Sequence, residues 1–381
     1  MIRKKEREKE ENRGQVNRMT TSGYTEPVLS VRDLAISFNT GQGERVLLRD
    51  ASFEVKRGEV LGIVGESGSG KSITALSLMG LLPAGGRVSH GEAWFEGQDL
   101  FTLSPRQLDR IRGKRIAMIF QDALTSLNPV FTIGNQIVEG IRAHQDISKA
   151  QAAQQAAGLL GRVGMADPDN VLNQYAHMLS GGMRQRAMIA MALASEPALI
   201  IADEATSSLD VTIQAQIMHL LRELSLEREM SVLLITHDIG LIAQMADKVI
   251  VMYAGEIVEN TDVFTLFEAP GHPYTRALLE TVPSIEDDKD RELQAIPGVV
   301  PEDYDAISGC RFAGRCAYVE PKCRETRQIM LPLDECRQVR CMRAQNNELE
   351  FVHSTQCEAS KIALARRRQE DKAELEERLR A

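Results

Sequence analysis

Gly65-Glu66-Ser67-Gly68-Ser69-Gly70-Lys71-Ser72 follows the apolar run Val60 to Val64 and opens a stretch of helical composition, Ser72 to Leu82. Strand, glycine-rich loop and helix is the context in which a G-x-x-x-x-G-K-S pattern binds phosphate. Gly65, Gly68 and Gly70, with Ser67 between them, let backbone N–H groups close around a β-phosphate. Lys71 is placed to reach the β- and γ-phosphates and Ser72 to hold Mg²⁺. Pro83 and the Gly85-Gly86 pair then stop the helix.

Outward from this loop the chain keeps an α/β rhythm. Val28 to Phe38 and Ala51 to Val55 read as strands upstream. Downstream, the apolar strand Ala198 to Ala202 ends on Asp203 and Glu204. Adjacent carboxylates at a buried strand end need partners. Asp203 suits a water-mediated Mg²⁺ contact, and Glu204 suits the general base that polarises an attacking water. A helix over roughly Ile213 to Glu229 leads to the strand Ser231 to Thr236, as the crossover of a parallel sheet does. Val249 to Tyr253 and Glu256 to Val258 form a hairpin around Ala254-Gly255.

Between Gln121 and Ser180 the character changes. Ile133 to His144 and Lys149 to Leu160 are helical, which implies a small helical subdomain inserted over about residues 122–180. Leu179-Ser180-Gly181-Gly182 stands at a helix start, where free N–H groups and the helix dipole make an anion site. The Gly65–Ser72 loop already accounts for the phosphates within one chain. A second phosphate-binding segment fits if it closes over the nucleotide of a partner subunit.

The 381 residues carry a net charge of −9, which argues against a surface built to neutralise nucleic-acid phosphates. No stretch approaches the ~18 apolar residues of a membrane span. Residues 1–26 read as a disordered tail without secretory character, and Met19 would be an equally natural start. Residues 27–262 form the α/β domain and 263–350 an extension punctuated by proline. Residues 351–381 form a charged tail, in which Lys361 to Arg380 is either a solvated helix or disordered. The six cysteines lie at 310, 316, 323, 336, 341 and 357. Such clustering favours a metal over disulfides, although the spacings are looser than a zinc knuckle and do not name the metal.

In this order, the Gly65 loop, Gln121, the run Leu179-Ser180-Gly181-Gly182-Met183-Arg184-Gln185, Asp203-Glu204 and His237 resemble the ATPase subunit of an ABC transporter. The resemblance implies a P-loop NTPase fold of the ABC type and two subunits that sandwich two ATP molecules head to tail. It makes Lys71, Gln121, Glu204 and His237 catalytic and gives Mg²⁺ to Ser72, Gln121 and Asp203. His237 would contact the γ-phosphate and hold the water in register with Glu204, and Phe38 would stack on adenine. Ser207-Ser208-Leu209-Asp210 would cross the interface between subunits, and Ser180, Gly181, Gly182 and Asp210 would complete the partner's site. One departure is Ala205, where a proline is usual after the base.

Phe120 to Pro129, Gly181 to Arg186, Leu209 to Gln216, Pro270 to Leu279 and Ala295 to Pro301 resemble bacterial oligopeptide and dipeptide import ATPases. That resemblance implies ATP hydrolysis driving peptide import at the cytoplasmic face of the membrane. The implied partners are a second, non-identical ATPase, two integral permease subunits and an extracytoplasmic peptide-binding protein, with no nucleic acid. It also implies a four-cysteine [4Fe–4S] site, with zinc as the alternative, at Cys310, Cys316, Cys323 and Cys341, leaving Cys336 and Cys357 as spare thiols. The competing readings are import of nickel or another small solute, a soluble ABC ATPase of DNA repair or ribosomes, and a phosphate-binding regulator without hydrolysis. The single cassette counts against the repair and ribosomal forms. Glu204 and His237 would go unexplained in a regulator that does not hydrolyse.

Overall fold

The computed structural model describes residues 26–41, 43–206, 209–282, 295–352 and 357–380. The tail expected over 1–26 therefore lies outside the described residues except for Glu26, as do Ser207 and Ser208. Two sheets carry the domain. The antiparallel one is built from β1 (Leu29–Thr40), β2 (Gly43–Val55), β4 (Gly86–Phe95) and β5 (Gln98–Asp99), in the order β2-β1-β4-β5.

The larger sheet has β3 (Val60–Val64), β6 (Ile116–Ile119), β7 (Leu199–Asp203), β8 (Ser231–Ile235), β9 (Lys248–Tyr253) and β10 (Glu256–Asp262). Two short strands of the extension, β11 (Leu331–Pro332) and β12 (Gln338–Val339), join it, giving the order β11-β12-β10-β9-β3-β8-β7-β6. The pairs β6–β7, β7–β8, β8–β3 and β3–β9 are parallel, whereas β9–β10 is the antiparallel hairpin the sequence predicts. β3, β7 and β8 are buried at every position, which explains their unbroken apolar runs: both faces of the sheet are covered.

One core fills the space between the two sheets, with Leu34 and Ile36 against Ile63, Leu199 and Leu233. The opposite face of the large sheet packs under helices Ile133–His144, Lys149–Arg162 and Gly181–Leu193, through Ile137, Ala156, Leu160 and Ile189. These helices are the inserted subdomain. Parallel strand ends thus meet a helical layer, and the loops at that junction carry the site.

The extension is stitched onto the domain. Glu259, fully buried on β10, accepts the N–H groups of Gly271 (2.7 Å) and His272 (2.9 Å). A Cβ on Gly271 would lie 2.6 Å from Val339, so only glycine fits between β10 and β12. Burial lowers His272 to about 3, with Arg340 adding to the shift, and its neutral Nδ1 caps helix Pro273–Glu280 by accepting from Tyr274 N.

The charged tail differs from the expectation. Helix Cys357–Arg380 is mostly exposed, but its inner side is pinned rather than merely solvated. Asp247, 4% exposed, faces Arg368 (2.9 Å) and Arg367 (3.7 Å) from this helix and Arg222 (3.3 Å) from helix Val211–Arg228. Arg222 in turn reaches Asp371 at 2.8 Å. Ser360 (3.0 Å from Thr265 Oγ1) and Leu364, which packs against the core, add to these ion pairs.

Candidate functional site

β3 is followed by Gly65, whose φ is 153° and whose missing Cβ would sit 2.1 Å from the Met252 carbonyl oxygen. The loop turns through Gly68 and Gly70, both at positive φ, and Gly70 opens helix Lys71–Leu78. Ser67 and Gly68 are exposed at the loop tip. Lys71 is buried, and its Nζ donates to the carbonyls of Gly65 (2.8 Å) and Glu66 (3.0 Å). Burial lowers the Lys71 pKa, against the opposing charges of Glu204, Asp203 and Glu66.

Ser72 Oγ donates to Asp203 Oδ1 at 3.0 Å, bringing the loop to the end of β7. Burial pushes the Asp203 carboxyl up, opposed by the Ser72 hydrogen bond. A hydroxyl beside a buried carboxylate is an all-oxygen donor pair, the chemistry that Mg²⁺ takes. The residues present fit that ion.

Glu204 is the centre of the next group. It holds φ at 46°, and its N–H bonds to the Ile235 carbonyl (2.9 Å), tying the end of β7 to that of β8. Gln121 Nε2 donates to its Oε2 at 2.8 Å, and His237 Nδ1 lies 3.3 Å from its Oε1. Residues spread from 121 to 237 are thereby gathered on one carboxylate, with His237 65% exposed and facing solvent.

Sequence reasoning missed Gln185. It is buried in helix Gly181–Leu193, and its Nε2 donates to the carbonyls of Ala205 (2.5 Å) and Phe120 (3.4 Å). Those residues flank Glu204 and Gln121, so one side chain links the helical subdomain to both strand ends. Gln185 is buried in this helix beside Ala187, Met188 and Ile189, and a buried amide needs partners. Gln185→Leu should lower the kcat for ATP about tenfold by releasing both carbonyls, at a stability cost of ~1–3 kcal/mol. Steady-state phosphate release and thermal melts check this, and an unchanged kcat would sink it.

Ser180 caps helix Gly181–Leu193, its Oγ accepting from Met183 N at 3.3 Å, and Gly181 and Gly182 form the open first turn. Asp210 caps helix Val211–Arg228 in the same way, accepting from Ile213 N at 3.0 Å. Leu209 packs beside Gly182. None of Ser180, Gly181, Gly182 and Asp210 is hydrogen-bonded to the Gly65–Ser72 loop among the described residues. Phe38 is half-buried on β1, with its ring against Gly86.

The metal expectation is corrected. Cys310, Cys316, Cys323 and Cys341 do converge, on a cavity of about 20 Å³ that Phe312, Val319 and Leu349 also line. Among the described residues, however, no group of three or more His, Cys, Asp or Glu side chains is arranged to hold a metal. Burial pushes the Cys310 thiol up to about 12 and that of Cys316 to about 11, and it raises Cys341 as well. The lack of such a group among the described residues overturns both the [4Fe–4S] cluster and zinc, and the cysteines pack in the apolar pocket as small hydrophobes. Cys336 is not a spare thiol either, because it is disulfide-bonded. The side chain of Cys357 lies outside the described residues.

A glycine-rich loop that opens one helix, a serine-capped Gly-Gly terminus that opens another, and an inserted helical layer are the features of an ABC-type ATPase. The comparisons agree. The ABC transporter family model matches residues 48–207, and that of the oligopeptide/dipeptide transporter C-terminal region matches 258–323. The dipeptide transport ATP-binding protein DppD of Escherichia coli is 48% identical over 314 residues, 82% of this chain and 96% of its own. The oligopeptide transport ATP-binding protein OppD of Bacillus subtilis is 49% identical over 292 residues, 76% of this chain and 82% of its own. Among solved structures, the dimeric ATP-binding cassette MJ0796 in a post-hydrolysis state with ADP and phosphate superimposes with a TM-score of 0.57 at 26% identity. It covers 62% of this chain and 98% of its own. The chain belongs to the ABC transporter ATP-binding subunits, among those of the dipeptide and oligopeptide transporters. Among the described residues no helix is long and apolar enough to cross a membrane.

Proposed function

We propose that this chain hydrolyses ATP to drive import of dipeptides or oligopeptides through a membrane permease. The observation that carries the chemistry is Glu204, held between Gln121 and His237 next to the Ser72–Asp203 pair. Glu204 accepts the proton of a water whose oxygen attacks the γ-phosphorus. The bond to the β-phosphate oxygen breaks, leaving ADP and phosphate. Gln121 and His237 fix the carboxylate and the water it polarises. Lys71 leaves its backbone carbonyls for the phosphates, and the N–H groups of Gly65 to Ser72 cradle them. Ser72 and Asp203 would hold Mg²⁺, with Gln121 beside them, and the ion would neutralise phosphate charge when bound. Phe38 meets the adenine ring.

Ser180, Gly181, Gly182 and Asp210 serve the ATP of a second ATPase subunit, most simply a non-identical one. Their separation from the chain's own loop supports that reading. Residues 27–262 act as the motor and 263–350 as the extension typical of peptide importers. Two permease subunits receive the motion at the cytoplasmic face of the membrane, and an extracytoplasmic binding protein selects the peptide. Purification with the membrane subunits, followed by ATPase assays with binding protein added, tests the assignment. Turnover should rise severalfold when peptide is supplied. Activity indifferent to peptides but raised by nickel or another small solute would replace the cargo and keep the motor.

A further inference from the structure

Glu66, the second residue of the phosphate loop, is held from far along the chain. Arg315 Nη1 lies 3.0 Å from both of its carboxylate oxygens, and this guanidinium is 7% exposed. Arg315 is itself fixed: Nε donates to the Pro297 carbonyl (2.7 Å), and Nη1 also approaches Tyr253 Oη (3.4 Å). The Glu66 backbone N–H donates to Tyr274 Oη at 3.0 Å. Tyr274 is fully buried, with its ring centroid 4.7 Å from that of Tyr253 and 5.4 Å from that of Phe312. The Glu66 carbonyl receives Lys71 Nζ. Side chain and N–H of one loop residue are thus occupied by the extension, while its carbonyl holds the phosphate-seeking lysine.

We propose that Arg315, with Tyr274, is a positioning residue for ATP: the extension sets the shape of the phosphate loop through Glu66. The proposal rests on the reading that this loop binds ATP, and on nothing about the transported solute. A buried charge-assisted contact backed by a packed aromatic cluster is stiff. A loop freed from it must find its binding shape at the moment ATP arrives, and that ordering cost is taken from the affinity. Arginine suits the role because its planar guanidinium is held by several acceptors at once, which a lysine cannot reproduce.

The test uses the full chain and a fluorescent ATP analogue, with steady-state ATPase in parallel. Arg315→Ala should raise the Kd and the KM for ATP about tenfold while kcat at saturating ATP falls less than twofold, and Arg315→Lys should recover only part of the affinity. Tyr274→Phe, which removes a single hydroxyl and keeps the ring packed, should raise Kd about threefold. It keeps the question open to test should Arg315→Ala fail to fold. Glu66→Gln with Arg315→Ala should be no weaker than Arg315→Ala alone, because both act on one contact. A lowered Tm with unchanged Kd in Arg315→Ala and Tyr274→Phe would make the contact a staple and overturn the proposal. A wild-type chain that binds no ATP would instead overturn the function on which it rests.

Discussion

Glu204→Gln should reduce the kcat for ATP hydrolysis by about 10²- to 10⁴-fold while leaving nucleotide binding within a few fold. The amide has the shape of the carboxylate, and its oxygen can still accept from Gln121, which donates to Glu204 at 2.8 Å. What disappears is the proton acceptor. The Ser72–Asp203 pair and the Gly65–Ser72 loop do not depend on that charge for their geometry, so ATP should still bind. Binding without turnover should make an ATP-dependent dimer long-lived, visible as an ATP-induced shift in gel filtration that the wild type shows only transiently. A variant retaining a tenth or more of wild-type turnover would remove Glu204 from the role of base.

The second large effect concerns stability. Asp247→Ala should destabilise the chain by ~3–5 kcal/mol, because it strips the buried acid from Arg222, Arg367 and Arg368 and from the Val60 N–H (2.9 Å). At ~2 °C per kcal/mol for a large chain, thermal melts should show a Tm roughly 6–10 °C lower. Helix Cys357–Arg380 should loosen at the same time, as protease cutting within it would report. The pH dependence follows from the same contacts. Burial alone would raise the Asp247 carboxyl, but Arg368, Arg222 and the Val60 N–H outweigh it and hold the pKa below its ordinary 3.8. A lowered folded-state pKa gives stability that is complete above that ordinary value and is lost as pH falls through the folded one. The Tm gap between wild type and Asp247→Ala should therefore be steady from neutral pH down to about 5 and close below about 3.8. A gap unchanged at pH 3 would show that the lost acid acts through packing rather than charge.

The parts of this molecule that were legible in its sequence are those with a local physical mark. β3, β7 and β8 announce themselves as unbroken apolar runs. Helix Ile133–His144 begins and ends where its composition predicts. Gln121, Glu204 and His237 stand at strand ends, and Gln121 and His237 both lie against the Glu204 carboxylate. β4 went unread because Gly86 to Phe95 mixes glycine, histidine and glutamate on a face only partly covered. β11 and β12, two residues each, are defined by their partners rather than by any pattern. The Arg315–Glu66 pair and the arginines around Asp247 join residues distant in sequence, and charge pairing leaves no periodicity to find. The cysteines lie between these cases. Their clustering foretold convergence, but the apolar lining around them comes from Phe312, Val319 and Leu349, which nothing in the cysteine spacing reveals.

β10 pairs with β9 on one side and on the other with β12, which in turn pairs with β11. That pairing covers Glu259 and Asn260 at the middle of the seven-residue edge strand, and without it the edge would offer an unbroken template for strand addition by a neighbouring chain. The last strand blunts the edge again, since Pro332 has no N–H to offer. A chain cut after Asp262 would therefore keep every residue that touches phosphate and still be prone to aggregate. The segment beyond Asp262 should thus also keep the chain soluble, and light scattering of a chain cut there checks it.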